Sequence, residues 1–311
     1  MYNEVVKHKF IETFKNTGSK LYAKSLMRRL DVLCESKLDK EVAEMSKREI
    51  IDGLSHIHYI SYTSIRTDLY VLKKYFNWYN DNINSINVEN ALSISAEDID
   101  LSESLRAELV KDEDELIGIL SFATANEGYY EVPIILLAWC GLTLDEILKL
   151  KNEDVVFKND SVFIQSDRKV LHIKSEKIIN LLKDYKSTKS RVVECHGRRE
   201  MFPDDIGFFI KNMLTVNSMF IGKPLSAANV RKKIDAYNRI TPEHIKKITI
   251  DGVFLSGGMH RILESEIETG KISTEFVVNE LRAKIRLAND AVNLYKAYKK
   301  AFGIEIENKA E

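Results

Sequence analysis

Three consecutive cations, Arg231-Lys232-Lys233, are the sharpest chemical signal in the chain. They fall in a segment whose apolar residues Val230, Ile234 and Tyr237 repeat at helical spacing, which leaves the basic groups another face. Pairs of the same kind stand at Arg198-Arg199, Arg168-Lys169 and Lys73-Lys74, with Lys20, Lys24, Arg28, Arg66 and Arg191 as single positions. Ammonium and guanidinium groups neutralise phosphates, and a guanidinium fork can also read a base edge. Together they point to a polyanion such as double-stranded DNA. A set of solvated helix faces is the plainer alternative.

The distribution of charge supports the polyanion. The whole chain carries a net charge of only −1. From Met1 to Leu30, however, seven Lys/Arg face two Glu, a net of +5. From Ala96 to Glu115 nine acids face two bases, a net of −7. From Lys183 to Ile250 fourteen bases face seven acids, a net of +7. Local sign decides what a surface attracts, so two basic regions flanking an acidic stretch suit two faces gripping one polyanion.

Most enzyme signatures are missing. The chain has no Gly-x-Gly-x-x-Gly, no phosphate loop ending in Gly-Lys-Ser/Thr, no His-Glu-x-x-His and no Gly-x-Ser-x-Gly. Cys195-His196 is an adjacent pair without a second pair at zinc spacing, so neither a metal nor a cofactor is expected. The three cysteines, odd in number and far apart, fit a reducing compartment. The longest apolar run, Val132 to Leu142, is about half a membrane span, and Met1-Tyr2-Asn3-Glu4 lacks the order of a signal peptide. A soluble protein of the bacterial cytoplasm, associated with the nucleoid and not with a membrane, is the expectation.

The elements that would position these residues are mostly helices. With 311 residues, about two domains are expected; only 13 Gly and 4 Pro argue against a turn-dense β fold. Helices are predicted over Lys20–Ser36, after the cap Ser46, and after the cap Thr63, where Ile65, Leu69, Leu72, Phe76 and Tyr79 form one stripe. The stretch from Asn84 to Ser104 is polar and aperiodic and reads as a linker, with a domain boundary near 104. Helices follow over Asp114–Thr124, Val132–Cys140 (capped by Gly141) and Leu144–Leu150. The segments Val155–Phe157, Ser161–Gln165 and Lys169–Lys174 alternate in polarity and predict a small antiparallel β-meander. Beyond it, helices are predicted over Lys177–Tyr185, Ile206–Thr215, Ala227–Asn238, His260–Glu268, Thr274–Ala283 and Asn289–Phe302.

The run from Leu136 to Val155, an apolar helix followed by Gly141-Leu142-Thr143-Leu144-Asp145-Glu146 and Leu150-Lys151-Asn152-Glu153-Asp154, resembles the first catalytic box of the tyrosine recombinases, the phage-integrase family. In that family a β-meander follows the box. Tyr62–Trp78 resembles the family's N-terminal core-binding helix, while Pro224-Leu225-Ser226, Ile248-Thr249-Ile250 and Leu255-Ser256-Gly257 look like the second half of integrases from Gram-positive phages. The resemblance implies a mainly α fold with a small β-meander and two domains: 1–104, a helical core-binding (SAM-like) DNA-binding domain with its linker, and 105–311, an integrase catalytic-type domain.

The resemblance also implies a reaction and shows it degenerate. Such enzymes cut DNA with a tyrosine, while two arginines, a lysine and His/Trp residues hold the scissile phosphate. Here the first arginine position holds Thr143, the His-x-x-Arg box falls on Asp251 to Phe254, and the third box near Ala283 has no histidine. His244-x-x-Lys247 and His260-Arg261 are poor substitutes for the second box. Lys169 (or Arg168) takes the position of the turn lysine, and Tyr295 or Tyr298 that of the nucleophile. Losing one phosphate-stabilising group costs roughly 10³–10⁵ in rate. The expected function is therefore sequence-specific DNA binding without catalysis, a transcriptional repressor resembling the integrase-like lysogeny repressors of SPβ-group Bacillus phages. Self-association and a phage-encoded antirepressor are partners compatible with that role. The alternatives are a divergent active recombinase and an accessory protein-interaction module.

Overall fold

Helix caps and buried stripes account for most of the first unit. The computed structural model describes residues 2–125, 131–188, 190–193, 198–201, 207–211 and 224–306. Among these, two compact units separate, the first made of Met1–Arg106 with Leu287–Glu305 and the second essentially of Ala107–Arg286. The first unit opens with α1 (Glu4–Glu12), which the sequence reading passed over, and α2 (Thr17–Leu30). The side chain of Asn16 accepts the N–H groups of Gly18 and Ser19 and so starts α2. A π-helical turn, Asp31–Glu35, continues α2 into the short α3 (Ser36–Leu38). Ser46 and Glu49 form a reciprocal capping box for α4 (Lys47–Ser55). Ser61, not Thr63, caps α5 (Tyr62–Asn82), whose predicted stripe from Ile65 to Tyr79 is buried.

The wide turn at Asp31–Glu35 carries Glu35 inward, where it is 0% exposed and ion-paired to the equally buried Lys7. The Glu35 carboxylate also accepts the Val42 N–H at 2.9 Å, and Tyr75 donates to Glu41 at 2.8 Å, 3.9 Å from Lys7. Burial pushes the Glu35 carboxyl above the usual carboxylate range, against the pull of Lys7. The lysine is thus a core residue.

The segment expected to be a linker is part of this core. It contains α6 (Glu89–Leu92), a 3₁₀ turn at Ala96–Asp98 and the start of α7 (Ser102–Glu108). Ala91, Ile94, Ala96, Ile99 and Leu101 are all buried along it, an apolar set too irregular in spacing to show as a helix or a strand. The C-terminal helix α15 (Ala288–Phe302) also belongs here, although the sequence reading left it with the second domain. It is fastened by Asp290, which accepts from Thr63 at 3.1 Å and pairs with Arg66, and by Lys300 on Asp100 at 3.1 Å.

The second unit is built around α9 (Glu131–Trp139), apolar on every side and accordingly buried from Val132 to Trp139. Around it lie α8 (Glu113–Ala125), α10 (Leu144–Lys149), α11 (Glu176–Ser187), α12 (Ala227–Ile240) and α13 (Ile250–Thr269), with α14 (Thr274–Leu281) packed on α13. Strands β1 (Val155–Lys158), β2 (Ser161–Gln165) and β3 (Val170–Ile173) pair in order as the predicted antiparallel meander, with Val156 opposite Phe163 and Phe163 opposite His172. A second antiparallel pair, β4 (Ser190–Val193) with β5 (Arg198–Met201), was not foreseen. The helix expected over Ile206–Thr215 lies largely outside the described residues, and the described part, Gly207–Lys211, is not helical.

Helix α13 begins ten residues earlier than predicted, at Ile250 instead of His260. Thr249 caps it by accepting the Gly252 N–H at 3.0 Å. Its first half, Gly252 to Met259, is buried, and a Cβ on Gly257 would overlap the carbonyl oxygen of Trp139 in α9. The two helices touch backbone to backbone. Ser256 closes the contact by accepting the Val110 N–H at 2.8 Å and donating to the Gly252 carbonyl at 2.7 Å. Gly257→Ala is therefore expected to destabilise the protein by about 3 kcal/mol, since overpacking against backbone cannot relax through a side chain. Urea unfolding followed by circular dichroism measures it; a midpoint equal to that of the wild type would contradict the contact.

Candidate nucleic-acid interface

The close approach of α13 and α9 creates a cationic junction in the second unit. Arg261, one turn beyond Gly257, donates from Nη1 to the Trp139 carbonyl at 2.5 Å and from Nε to Glu280 on α14 at 2.8 Å. After Trp139 the chain turns at Gly141, whose φ of +98° favours glycine. A Cβ at Gly141 would stand 2.7 Å from both Arg261 Nη2 and Lys169 Nζ. Two cations thus converge over one bare glycine. Lys169 Nζ has no hydrogen-bond or ion-pair partner among the described residues, and Arg261 Nη2 is buried without one. Burial pushes the Lys169 ammonium below its usual range; Glu280 opposes that shift and Arg261 adds to it. His260, beside Arg261, lies against Trp139 with ring centroids 5.4 Å apart and faces Glu264 at 3.4 Å.

The other positions singled out from the sequence are already committed. Thr143 closes the capping box of α10: its N–H and hydroxyl both reach Glu146, at 2.8 and 2.7 Å. Arg168 forks onto the same carboxylate at 2.8 and 2.5 Å. Burial would raise the Glu146 carboxyl, yet these donors hold it at about 2. Asp251 is exposed and paired with Lys284 at 2.6 Å, Phe254 is buried, and Ala283 lies just past α14. Tyr295 and Tyr298 are both 0% exposed in the core of the first unit.

The remaining basic candidates divide into exposed and engaged. Arg231 and Lys232 are exposed on α12, while Lys233 is half-buried and has an interaction of its own. Lys24 and Arg28 are exposed on α2. Lys20 pairs with Glu12, Arg66 with Asp290 and Glu97, and Lys73 donates to the Ile94 carbonyl at 2.8 Å. Lys74 lies over the rings of Phe14 and Tyr70 at 4.9 and 5.4 Å. Arg191, Arg198 and Arg199 belong to β4 and β5, and their side chains lie outside the described residues, as do Cys195 and His196. Among the described residues no cluster of three or more His, Cys, Asp or Glu is placed to hold a metal, and no helix is long and apolar enough to cross a membrane.

The sequence names Arg261 only within His260-Arg261, as a poor substitute for the second box. Arg261 stands seven residues, two helical turns, beyond Phe254, so its side chain rises from the same face as the position where an arginine was sought. Spacing along a helix, not identity of position, was the available signal.

Residues 1–81 match the family described as "MrpR, N-terminal core-binding domain". No curated protein matches the chain by sequence. Similar solved structures include XerA recombinase, at 15% identity over 96% of each chain with a TM-score of 0.40. XerH site-specific recombinase bound to difH substrate gives 13% identity over 92% of this chain and 77% of that one, with a TM-score of 0.40. The Tn1549 transposon integrase in complex with circular intermediate DNA gives 16% identity over 93% and 96%, with a TM-score of 0.37.

The cation pair makes two substitutions differ in sign. The folded-state value of Lys169 lies below its unfolded value, so at neutral pH the charged lysine opposes folding, and this opposition fades as pH rises through the folded value. Lys169→Met is expected to raise the unfolding midpoint by roughly 1–3 °C. Arg261→Met strips a partner from Glu280 and from the Trp139 carbonyl and is expected to cost about 3 kcal/mol. Thermal unfolding of both variants at pH 7 checks the pair; a lower midpoint for Lys169→Met refutes the crowding of the two cations.

Proposed function

We propose that this chain is a sequence-specific DNA-binding protein that represses transcription and does not transfer DNA strands. The observation that carries the second half is the burial of Tyr295 and Tyr298, each 0% exposed within the first unit. A tyrosine nucleophile must present its oxygen to a phosphate and find donors for the charge that develops there. Thr143 stands where the first arginine would be and is closed on Glu146. Arg261 has spent its Nε–H and one N–H of Nη1 on Glu280 and Trp139, which leaves Nη2 and the second Nη1 N–H for an anion.

Binding needs much less. Arg231 and Lys232 on α12 and Lys24 and Arg28 on α2 are exposed cations on rigid helices, suited to phosphates, while Arg231 can also fork onto a guanine edge. The Lys169–Arg261 junction can hold a phosphate without attacking it. The match of residues 1–81 to an MrpR core-binding family, with the resemblance of the whole sequence to lysogeny repressors, supports a role in maintaining a prophage.

Selection from randomised duplexes defines the preferred site. On a nicked duplex carrying that site no denaturant-stable adduct is expected, and Tyr295→Phe or Tyr298→Phe should leave affinity within about threefold. Thr143→Arg alone should not restore cutting, because catalytic groups act as a unit. An adduct abolished by either phenylalanine would establish an active recombinase instead. In a salt titration, Arg231→Ala with Lys232→Ala should weaken binding and flatten the log–log slope by about one to two. Failure to select any sequence would favour the accessory interaction module.

A further inference from the structure

The first unit carries a groove with a combination of surfaces that double-stranded DNA uses only in part. It has a volume of about 740 Å³ and runs between α2 with its π-helical extension and the segment His56–His58. Leu21 and Val32 stand toward its two ends, 64% and 65% exposed, with Ile57 on the opposite wall. Between them lie Lys24 and Arg28, which have no ion pair among the described residues. Arg29 also lines it, paired to Asp68 through Nη2 at 3.2 Å but with a buried Nε that has no hydrogen-bond partner. The lining includes His56 and His58 and no acidic residue.

The spacing gives the groove a length. Leu21, Lys24, Arg28 and Val32 follow one face of a continuous helical run, so the aliphatic ends are about 16 Å apart, three turns of a partner helix. The chemistry gives it a charge. With Lys20, Arg66, Lys73 and Lys74 engaged internally, Lys24 and Arg28 concentrate the free positive charge of these candidates here. A phosphate backbone would answer the cations and leave two large aliphatic side chains in water. Covering such a side chain fully gains about 1.5–3 kcal/mol, which only an apolar partner surface collects.

We infer that this groove docks an acidic amphipathic α-helix of a protein partner, with its apolar stripe on Leu21 and Val32 against the wall that buried Ile57 backs, and its carboxylates on Lys24 and Arg28. The docking does not depend on the DNA-binding reading. Its consequence does: Lys24 and Arg28 serve one anionic partner at a time, so such a helix competes with duplex for the first unit and acts as a derepressor.

The test uses the full chain and a fluorescein-labelled helical peptide of about four turns, with leucines at i, i+3, i+7 and i+11 and glutamates between. Two further peptides serve as controls, one with the same residues out of helical phase and one with lysine for glutamate. Anisotropy should show saturable binding of the phased acidic peptide alone. Lys24→Glu with Arg28→Glu should weaken it at least about tenfold, and Leu21→Ser with Val32→Ser equally so. The serine pair, at positions already exposed, should leave the circular dichroism and the affinity for the selected duplex unchanged. Equal binding of the out-of-phase peptide, binding of the basic one, or no binding of the acidic one overturns the inference. So does a serine pair that weakens duplex and not peptide, which would give the groove to DNA. Peptide binding without any duplex binding would refute the DNA reading and leave the groove as inferred.

Discussion

The backbone contact between α13 and α9 is the constraint on which the rest of the second unit depends. Because Gly257 has no side chain, the Trp139 carbonyl comes within reach of the next turn of α13. That carbonyl is the last of its helix and lacks an intrahelical donor, so Arg261 supplies one. The guanidinium is then fixed at the C-terminal end of α9, where Gly141 bends the chain and leaves room for Lys169 from the turn before β3. Glu280 holds the far side of the guanidinium and so ties α14 to the same point. A missing methyl group is the geometric origin of the cation pair.

Charge and function are linked by what each basic residue finds indoors. Four of the seven basic residues before Leu30 show the range: Lys7 is a core residue, Lys20 serves Glu12, Arg29 serves Asp68 and Arg28 stays in solvent. Counting cations along the chain gives the same weight to all four. Their consequences differ by the cost of desolvation, which for Lys7 is offset only by the carboxylates of Glu35 and Glu41. Among the described residues before Leu30, the surface left to attract a polyanion is therefore smaller than the local net charge suggests, and α2 carries part of it through Lys24 and Arg28.

The fold was legible in the sequence wherever one periodicity ruled. The stripe of α5, the all-apolar α9 and the alternation of β1 to β3 were read within a few residues of their ends. Three places resisted for separate reasons. The run from Asn84 to Ser104 buries single aliphatic residues through short turns, which leaves no period to detect. The first half of α13 contains Gly252, Gly257 and Gly258, residues that lower helix propensity and here permit close packing. The ion pair of Arg66 with Asp290, 224 residues away, has no local signature in the sequence. At the candidate site Lys169 and Arg261 were both named from the sequence, but their convergence over Gly141 depends on the turn of the chain and the packing of α13 on α9, which have no local signature.

The assignment of α15 to the first unit governs the order in which a new chain can be completed on the ribosome. The early residues Met1–Arg106 must wait for Leu287–Glu305 before their compact unit is whole. At a synthesis rate of about 5–20 residues per second, the intervening chain takes on the order of 10–40 s to emerge. Throughout that interval the surface that will receive Asp290, Tyr295 and Tyr298 is open, so the nascent protein exposes an apolar seam for as long as the second unit is being made. Chaperone capture of ribosome-bound chains should thus persist until Leu287–Glu305 has emerged.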